Sequence, residues 1–155
     1  MKAIYWTIAA AALSFVEPAQ AGITDPEVII YRFPGMRDDG GGSLTGIATV
    51  FHCTNFSGAP ETVRFVTRNF NSTLVNNQTI PLDHLATKTV VSHLSAAYEQ
   101  DLNLITGPVN QGTTAIAATS INVICTAMTI DAAAHTPIGV ALRGIRFSPV
   151  PGSQE

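Results

Sequence analysis

Four histidines and a few carboxylates are the residues of this sequence best suited to catalysis or metal binding. His84 directly follows Asp83, and a hairpin could bring its imidazole close to that of His93. No third residue stands at a spacing that would complete a metal site around them. We therefore predict two histidines at the surface or at a sheet edge, no catalytic residues, no metal and no other cofactor.

Acidic residues occur in two further places where a cation could bind. Glu99 and Asp101 lie two positions apart, but the glycine and glutamate pattern of a calcium loop does not surround them. Residues 37–43 combine two aspartates with three glycines and could form an acidic cation site or a loop that contacts a ligand. Turn composition alone also explains a plain connector, which we favour, and the glycines predict a mobile, exposed loop.

Two arginines form the clearest candidate for holding an anion. Arg64 and Arg68 lie on one face of a predicted strand, with Val66 between them. Together they could grip an anionic sugar or the carboxylate of a partner. We favour the alternative, a solvated face whose arginines have cross-strand partners.

Composition argues against several other functions. Charged residues make up only 12% of the chain, and the net charge is −3. No basic face is concentrated enough to attract nucleic acid. The sequence also lacks the nucleophile elbow of serine hydrolases and a glycine-rich phosphate loop.

The first 21 residues have the three parts of a secretory signal peptide. Lys2 gives a positive start, residues 3–16 are apolar, and Ala19-Gln20-Ala21 matches a cleavage site. A membrane anchor is the alternative, but a spanning helix needs about 20 apolar residues. We predict cleavage after Ala21, a periplasmic or extracellular address, and no membrane span in residues 22–155.

The only two cysteines each lie in a run of alternating residues. Cys53 shares a face with Phe51, and Cys125 shares a face with Ile121 and Val123, so both are predicted to point into a core. Two free thiols or a metal pair are the alternatives, and no cluster of sulfur and nitrogen ligands supports a metal. An even cysteine count in an exported chain favours a disulfide between Cys53 and Cys125. Because that bond ties an early strand to a late one, we expect it to join two sheets.

Short alternating runs separated by turns predict an all-β domain over residues 22–155, built as a single antiparallel β-sandwich. The predicted strands cover residues 28–33, 46–55, 61–70, 72–75, 78–82, 87–94, 113–118, 120–130 and 138–147. Pro81 places its strand at a sheet edge. Residues 95–106 could form a helical turn, a loop or a short strand at residues 102–105, and the runs 113–118 and 120–130 could instead be one long bent strand. Residues 148–155 are predicted to be a frayed tail.

A disulfide between cysteines on strands that are far apart in the sequence resembles the one in the immunoglobulin-like β-sandwich, where this bond joins the two sheets. The chain departs from antibody-type domains because it has no tryptophan between the cysteines and has Val123 in place of the conserved tyrosine. Four segments (residues 51–55, 109–112, 124–127 and 146–149) are similar to those of small exported bacterial proteins of unknown role. The resemblance implies an immunoglobulin-like architecture and no particular activity.

Three functions fit these observations. The first is a non-catalytic exported β-sandwich that binds a protein or a glycan at the cell surface or in the periplasm. The second is a secreted hydrolase or metal enzyme that uses His84 and His93. The third is a polymerising surface subunit, in which residues 28–30 would add to a neighbour's sheet, although pairing within the chain is the expected fate of that strand. We favour the first.

Overall fold

The computed structural model describes residues 26–147, so the predicted leader (1–21) and tail (148–155) lie outside the described residues. The described residues form ten strands. These are β1 (Val28–Asp38), β2 (Ile47–Asn55), β3 (Glu61–Asn69), β4 (Leu74–Leu82), β5 (Thr87–Val91), β6 (Leu102–Asn103), β7 (Val109–Ala118), β8 (Val123–Asp131), β9 (Val140–Leu142) and β10 (Ile145–Arg146). Within this range no helix is long and apolar enough to cross a membrane.

The strands form two five-stranded sheets. Sheet A has the order β10-β1-β7-β3-β4, and sheet B has the order β6-β5-β2-β8-β9. All neighbours pair antiparallel except β5 and β6. The all-β, mainly antiparallel prediction is confirmed, and Pro81 does lie on an edge strand, β4.

Alternation along the strands creates the core between the sheets. Phe33 and Phe65 come from sheet A and Phe51 from sheet B, and all three side chains are buried. The ring centroid of Phe51 lies 5.8 Å from that of Phe33 and 5.7 Å from that of Phe65. Because a ring of one sheet contacts two rings of the other, the sheets face each other as a sandwich.

The disulfide between Cys53 and Cys125 is confirmed, but its predicted position between the sheets is wrong. The two residues lie directly opposite each other on β2 and β8, adjacent strands of sheet B, with Cα atoms 4.1 Å apart. Period-two alternation shows which face a residue occupies, but it does not show which strand lies beside it. Both side chains do point into the core, as predicted.

Strand β1 continues past the predicted end at residue 33. Gly35 has a φ of +83°, and the pairing with β7 shifts register on both sides of Met36. These irregularities let the strand bend without ending, as glycine-containing bulges do. Arg37 and Asp38 therefore belong to β1, and the predicted loop over residues 37–43 begins only after Asp38.

The last predicted strand, residues 138–147, is two strands that lie in different sheets. Strand β9 pairs with β8 in sheet B, and β10 pairs with β1 in sheet A. The chain passes between the sheets at Gly144, where a Cβ atom would lie 2.4 Å from the ring of Phe33. Only glycine leaves room for this close passage.

The outer face of sheet B is partly covered by the segment after β5. Ala97 and Tyr98 of this segment pack on a second apolar cluster formed by Ala48, Val50, Val91, Met128, Ile130 and Ala132. The Tyr98 ring also lies 4.8 Å from the imidazole of His52. Part of this outer face is therefore a small second core.

Candidate functional site

The outer face of sheet A carries a groove of about 190 Å³ that runs over β7. The floor consists of Thr113, Ala115 and Ala117, which are the small residues that β7 presents on this side. Ala115 is only 7% exposed and Ala117 only 4%, although both point away from the core between the sheets. Longer side chains on the neighbouring strands must therefore rise above them.

Arginines form much of the wall. The register places one arginine opposite each floor residue: Arg32 of β1 opposite Ala115, and Arg64 and Arg68 of β3 opposite Ala117 and Thr113. Arg64 and Arg68 share a face of β3 as predicted. Arg32 was not predicted to join them, because nothing in the sequence shows that β7 separates β1 from β3.

Arg64 already holds a carboxylate. Its Nε atom lies 2.6 Å from Oε2 of Glu27, the residue just before β1. Arg64 therefore has a partner, but not the predicted cross-strand one, because Glu27 precedes β1 whereas β3 pairs with β4 and β7. Both side chains are partly exposed, so solvent weakens the pair and an external anion can compete with Glu27.

The other two guanidinium groups are also held in position. Nη1 of Arg68 donates a hydrogen bond of 2.9 Å to the carbonyl oxygen of Ser72. The guanidinium of Arg32 lies 5.6 Å from the centre of the Phe147 ring, within cation–π distance. Side chains that are already oriented lose less conformational freedom when they bind a ligand.

A second polar cluster lies at one end of the sandwich, around a cavity of about 270 Å³. Nδ1 of His93 lies 2.8 Å from Oδ2 of the buried Asp38, and Nε2 lies 2.9 Å from the carbonyl oxygen of Thr45. The hydroxyl of Thr106 also donates to Asp38, at 3.1 Å. Each ring nitrogen of His93 thus has a polar partner within the chain. The imidazole is thus fully used in holding residues 38–45.

Backbone strain accompanies this cluster. Leu44 has a φ of 60° and Ile105 a φ of 51°, values that cost energy for residues with a Cβ atom and most of all for a β-branched one. Leu44 donates its amide N–H to the carbonyl of Leu94 at 2.9 Å. The loop after β1 is exposed, as predicted, and its ends are tied to the segments that follow β5.

Asp39 closes the base of the same loop. Its carboxylate accepts hydrogen bonds from the amides of Ile47 at 2.8 Å and Gly41 at 3.1 Å. The Ile47 bond is the main reason that the pKa of Asp39 lies below its ordinary value of 3.8; burial opposes this shift, and the Gly41 bond and the charges of His93 and Arg37 lower the pKa further. The two predicted loop aspartates therefore serve as hydrogen-bond acceptors within the chain.

The structure does not bring His84 and His93 together. His84 lies before β5 and accepts a hydrogen bond of 3.0 Å from the amide of Gly58, whereas His93 lies beyond the other end of β5. Asp101 accepts from the amide of Thr89 at 2.8 Å. Among residues 26–147, no three histidine, cysteine, aspartate or glutamate side chains converge on a point that could hold a metal.

A cavity of about 770 Å³ lies beside the edge strand β9. Ile138 and Val140 line it and are largely exposed.

The strand considered as a donor for polymerisation, residues 28–30, is not free to add to a neighbour's sheet. Val28 and Ile29 pair with β7 of their own chain. This pairing was the expected fate of that strand.

No family model matches this chain, and the comparisons with curated proteins and with solved structures found no significant match. The resemblance to small exported proteins with an immunoglobulin-like architecture therefore stays a prediction. What the chain binds has to be argued from its own surfaces.

Proposed function

We propose that this chain is an exported, non-catalytic binding protein that contacts a protein or glycan partner through the outer face of sheet A. The leader pattern of residues 1–21 supports export. The disulfide between Cys53 and Cys125 supports an oxidising compartment such as the periplasm or the cell exterior.

The observation that carries this proposal is the difference between the two outer faces. Sheet B is partly covered by Ala97 and Tyr98, which form a small core on it. Sheet A instead presents a groove with a floor of small residues and walls of oriented arginines. A concave, partly apolar surface with a few fixed polar groups is typical of a binding site.

The hydrogen bonds of His93 favour binding over catalysis as the function of this chain. A general base needs a ring nitrogen within hydrogen-bond reach of its substrate. Both nitrogens of His93 are committed, one to Asp38 and one to Thr45. The ring therefore acts here as a support for the loop.

A matched pair of tryptophan substitutions tests the proposal. Purified, disulfide-bonded protein is sedimented with washed cell envelopes of the organism that encodes it, and the bound fraction is measured against protein concentration. Ala115→Trp fills the groove on sheet A, and Thr126→Trp adds the same bulk to an exposed position on the outer side of sheet B. We expect saturable binding that Ala115→Trp abolishes and Thr126→Trp preserves, with thermal melting confirming that both variants fold.

Three results would contradict the proposal. If the wild-type protein shows no saturable binding, the envelope holds no partner for it. If Ala115→Trp binds as well as Thr126→Trp, the outer face of sheet A is not the contact surface. Recovery of the intact leader-bearing chain from the cytoplasm would contradict the exported location.

A further inference from the structure

We infer that the arginine groove binds an acidic polysaccharide, a glycan chain that carries carboxylate or sulfate groups. This inference rests on the proposed function and names the ligand class of the same surface. Three arginines, Arg32, Arg64 and Arg68, line the groove, and Glu27, whose carboxylate lies against Arg64, offsets one of their three charges. The chain as a whole has a net charge of −3, so this local concentration of positive charge is not a consequence of general basicity.

The positions of the arginines suit an extended ligand that carries several charges. Arg64 and Arg68 lie four residues apart on β3, a separation of about 13 Å at the usual rise of a strand. Arg32 lies on β1, two strand spacings away across β7, or about 10 Å. An extended polyanion that follows the groove can meet two or three of these guanidinium groups at once. Arginine is also the residue that pairs best with carboxylate and sulfate-like oxyanions, through parallel N–H groups.

The place of the groove within the sheet favours a glycan over a peptide. Strand β7 is paired on one side with β1 and on the other with β3. A peptide that binds by strand addition needs a free sheet edge for its main chain, and β7 offers none. The ligand must be recognised by side chains alone. The methyl groups of Ala115 and Ala117 offer a flat apolar floor for the C–H face of a sugar ring.

Glu27 shows that an arginine of the groove wall, Arg64, can bind a carboxylate. Its carboxylate lies against Arg64 and would have to yield to the carboxylate or sulfate of a ligand. Removing this internal competitor should therefore strengthen ligand binding, whereas removing an arginine should weaken it. Substituting Glu27 and substituting an arginine should therefore change the affinity of the groove for its ligand in opposite directions.

Calorimetric titration with four polymers tests the inference: polygalacturonate, dextran sulfate, neutral dextran and poly-L-glutamate. We expect one or both acidic polysaccharides to bind, with an affinity that falls as salt is raised, and neutral dextran not to bind. The first two polymers distinguish a carboxylated from a sulfated ligand. Tighter binding of poly-L-glutamate than of either polysaccharide would overturn the inference in favour of an acidic peptide.

Variants place the ligand on the groove. Arg32→Gln, Arg64→Gln and Arg68→Gln should each weaken binding by about tenfold, the usual effect of one lost charge-assisted contact. Arg143→Gln, an exposed arginine outside the groove, should leave the affinity within about twofold. Glu27→Gln should strengthen binding by about threefold. An equal loss in Arg143→Gln, or a weaker Glu27→Gln complex, would overturn the inference.

The two proposals fail separately. If no polyanion binds but cell envelopes still retain the protein in a way that Ala115→Trp abolishes, the ligand class is wrong and the contact surface stands. If polyanions bind and Ala115→Trp has no effect on either assay, the surface itself is wrong.

Discussion

The imidazole of His93 lies 2.8 Å from the carboxylate of Asp38, although four strands, β2 to β5, separate the two residues in the chain. Asp38 is fully buried and ends β1, whereas His93 follows β5. The pair therefore fastens the end of one sheet to a connecting segment of the other. Asp38 also accepts hydrogen bonds from Thr106 and from the amide of Gly40 at 2.8 Å.

The first prediction concerns this pair. Asp38→Ala leaves the imidazole of His93 and the hydroxyl of Thr106 without the carboxylate that they contact. We therefore expect the free energy of unfolding to fall by about 3 kcal/mol. Urea denaturation followed by circular dichroism measures the change. Asp83→Ala, at an exposed turn position, is the control and should cost less than about 0.5 kcal/mol. Equal costs for both variants would show that the buried network adds nothing to stability.

The second prediction concerns the disulfide. The double variant Cys53→Ala/Cys125→Ala reopens a loop of 72 residues, which the chain-entropy model values at about 4 kcal/mol. Because both side chains are buried in the core, part of the lost volume adds to the cost. Denaturant unfolding compares the variant with the oxidised wild type. Alkylation of both cysteines in freshly exported protein, without reductant and under denaturing conditions, would contradict the presence of the bond.

The sequence predicted the faces of the strands much better than their neighbours. Alternation placed Phe51 and Cys53 in the core, and both are buried there. The same alternation cannot show that β2 lies next to β8. The disulfide was therefore predicted to join two sheets, whereas it joins neighbouring strands of one sheet. For the same reason Arg32 was not grouped with Arg64: the groove exists only because β7 pairs with both of their strands.

Local composition was misleading at the end of β1. Two adjacent aspartates before three glycines are typical of an exposed turn. The irregular register around Met36 carries the strand on, so Asp38 points into the protein and Asp39 points out to close the loop. Asp38 and Asp39 are neighbours in the chain, but their side chains point to opposite sides of it, so one is buried and the other exposed. Composition does not reveal which side each residue occupies.

The third prediction concerns the passage of the chain between the sheets. Gly144→Ala would place a Cβ atom 2.4 Å from the buried ring of Phe33, so either the ring or the backbone must move. We expect a loss of about 2 kcal/mol in the free energy of unfolding, as for other overpacked sites. Chemical denaturation measures it.

A double-mutant cycle supplies the control for this contact. Phe33→Leu removes the ring edge that the new methyl group would meet, so Gly144→Ala should cost less in that background than in the wild type. Additive effects of the two substitutions would show that the clash with Phe33 is not the reason for glycine at this position.

The last prediction concerns pH. His52 is half-buried beside Tyr98, and burial lowers the pKa of its imidazole below the ordinary value of 6.5. The unfolded chain therefore takes up this proton at a higher pH than the folded chain does. Below about pH 6.5 the unfolded state binds more protons, so the free energy of unfolding decreases as pH falls towards the pKa of the folded state.

Replacing the imidazole isolates this effect. His52→Gln keeps a polar side chain that can contact the hydroxyl of Thr89, the present partner of Nδ1 at 3.1 Å, and removes the titrating group. Unfolding measured between pH 7.5 and about pH 5 should show a shallower loss of stability for His52→Gln than for the wild type. His135→Gln, in an exposed loop, should follow the wild-type curve. Identical slopes for wild type and His52→Gln would mean that burial of this ring does not oppose its protonation, and the packing of Tyr98 over sheet B would then be looser than the ring distance indicates.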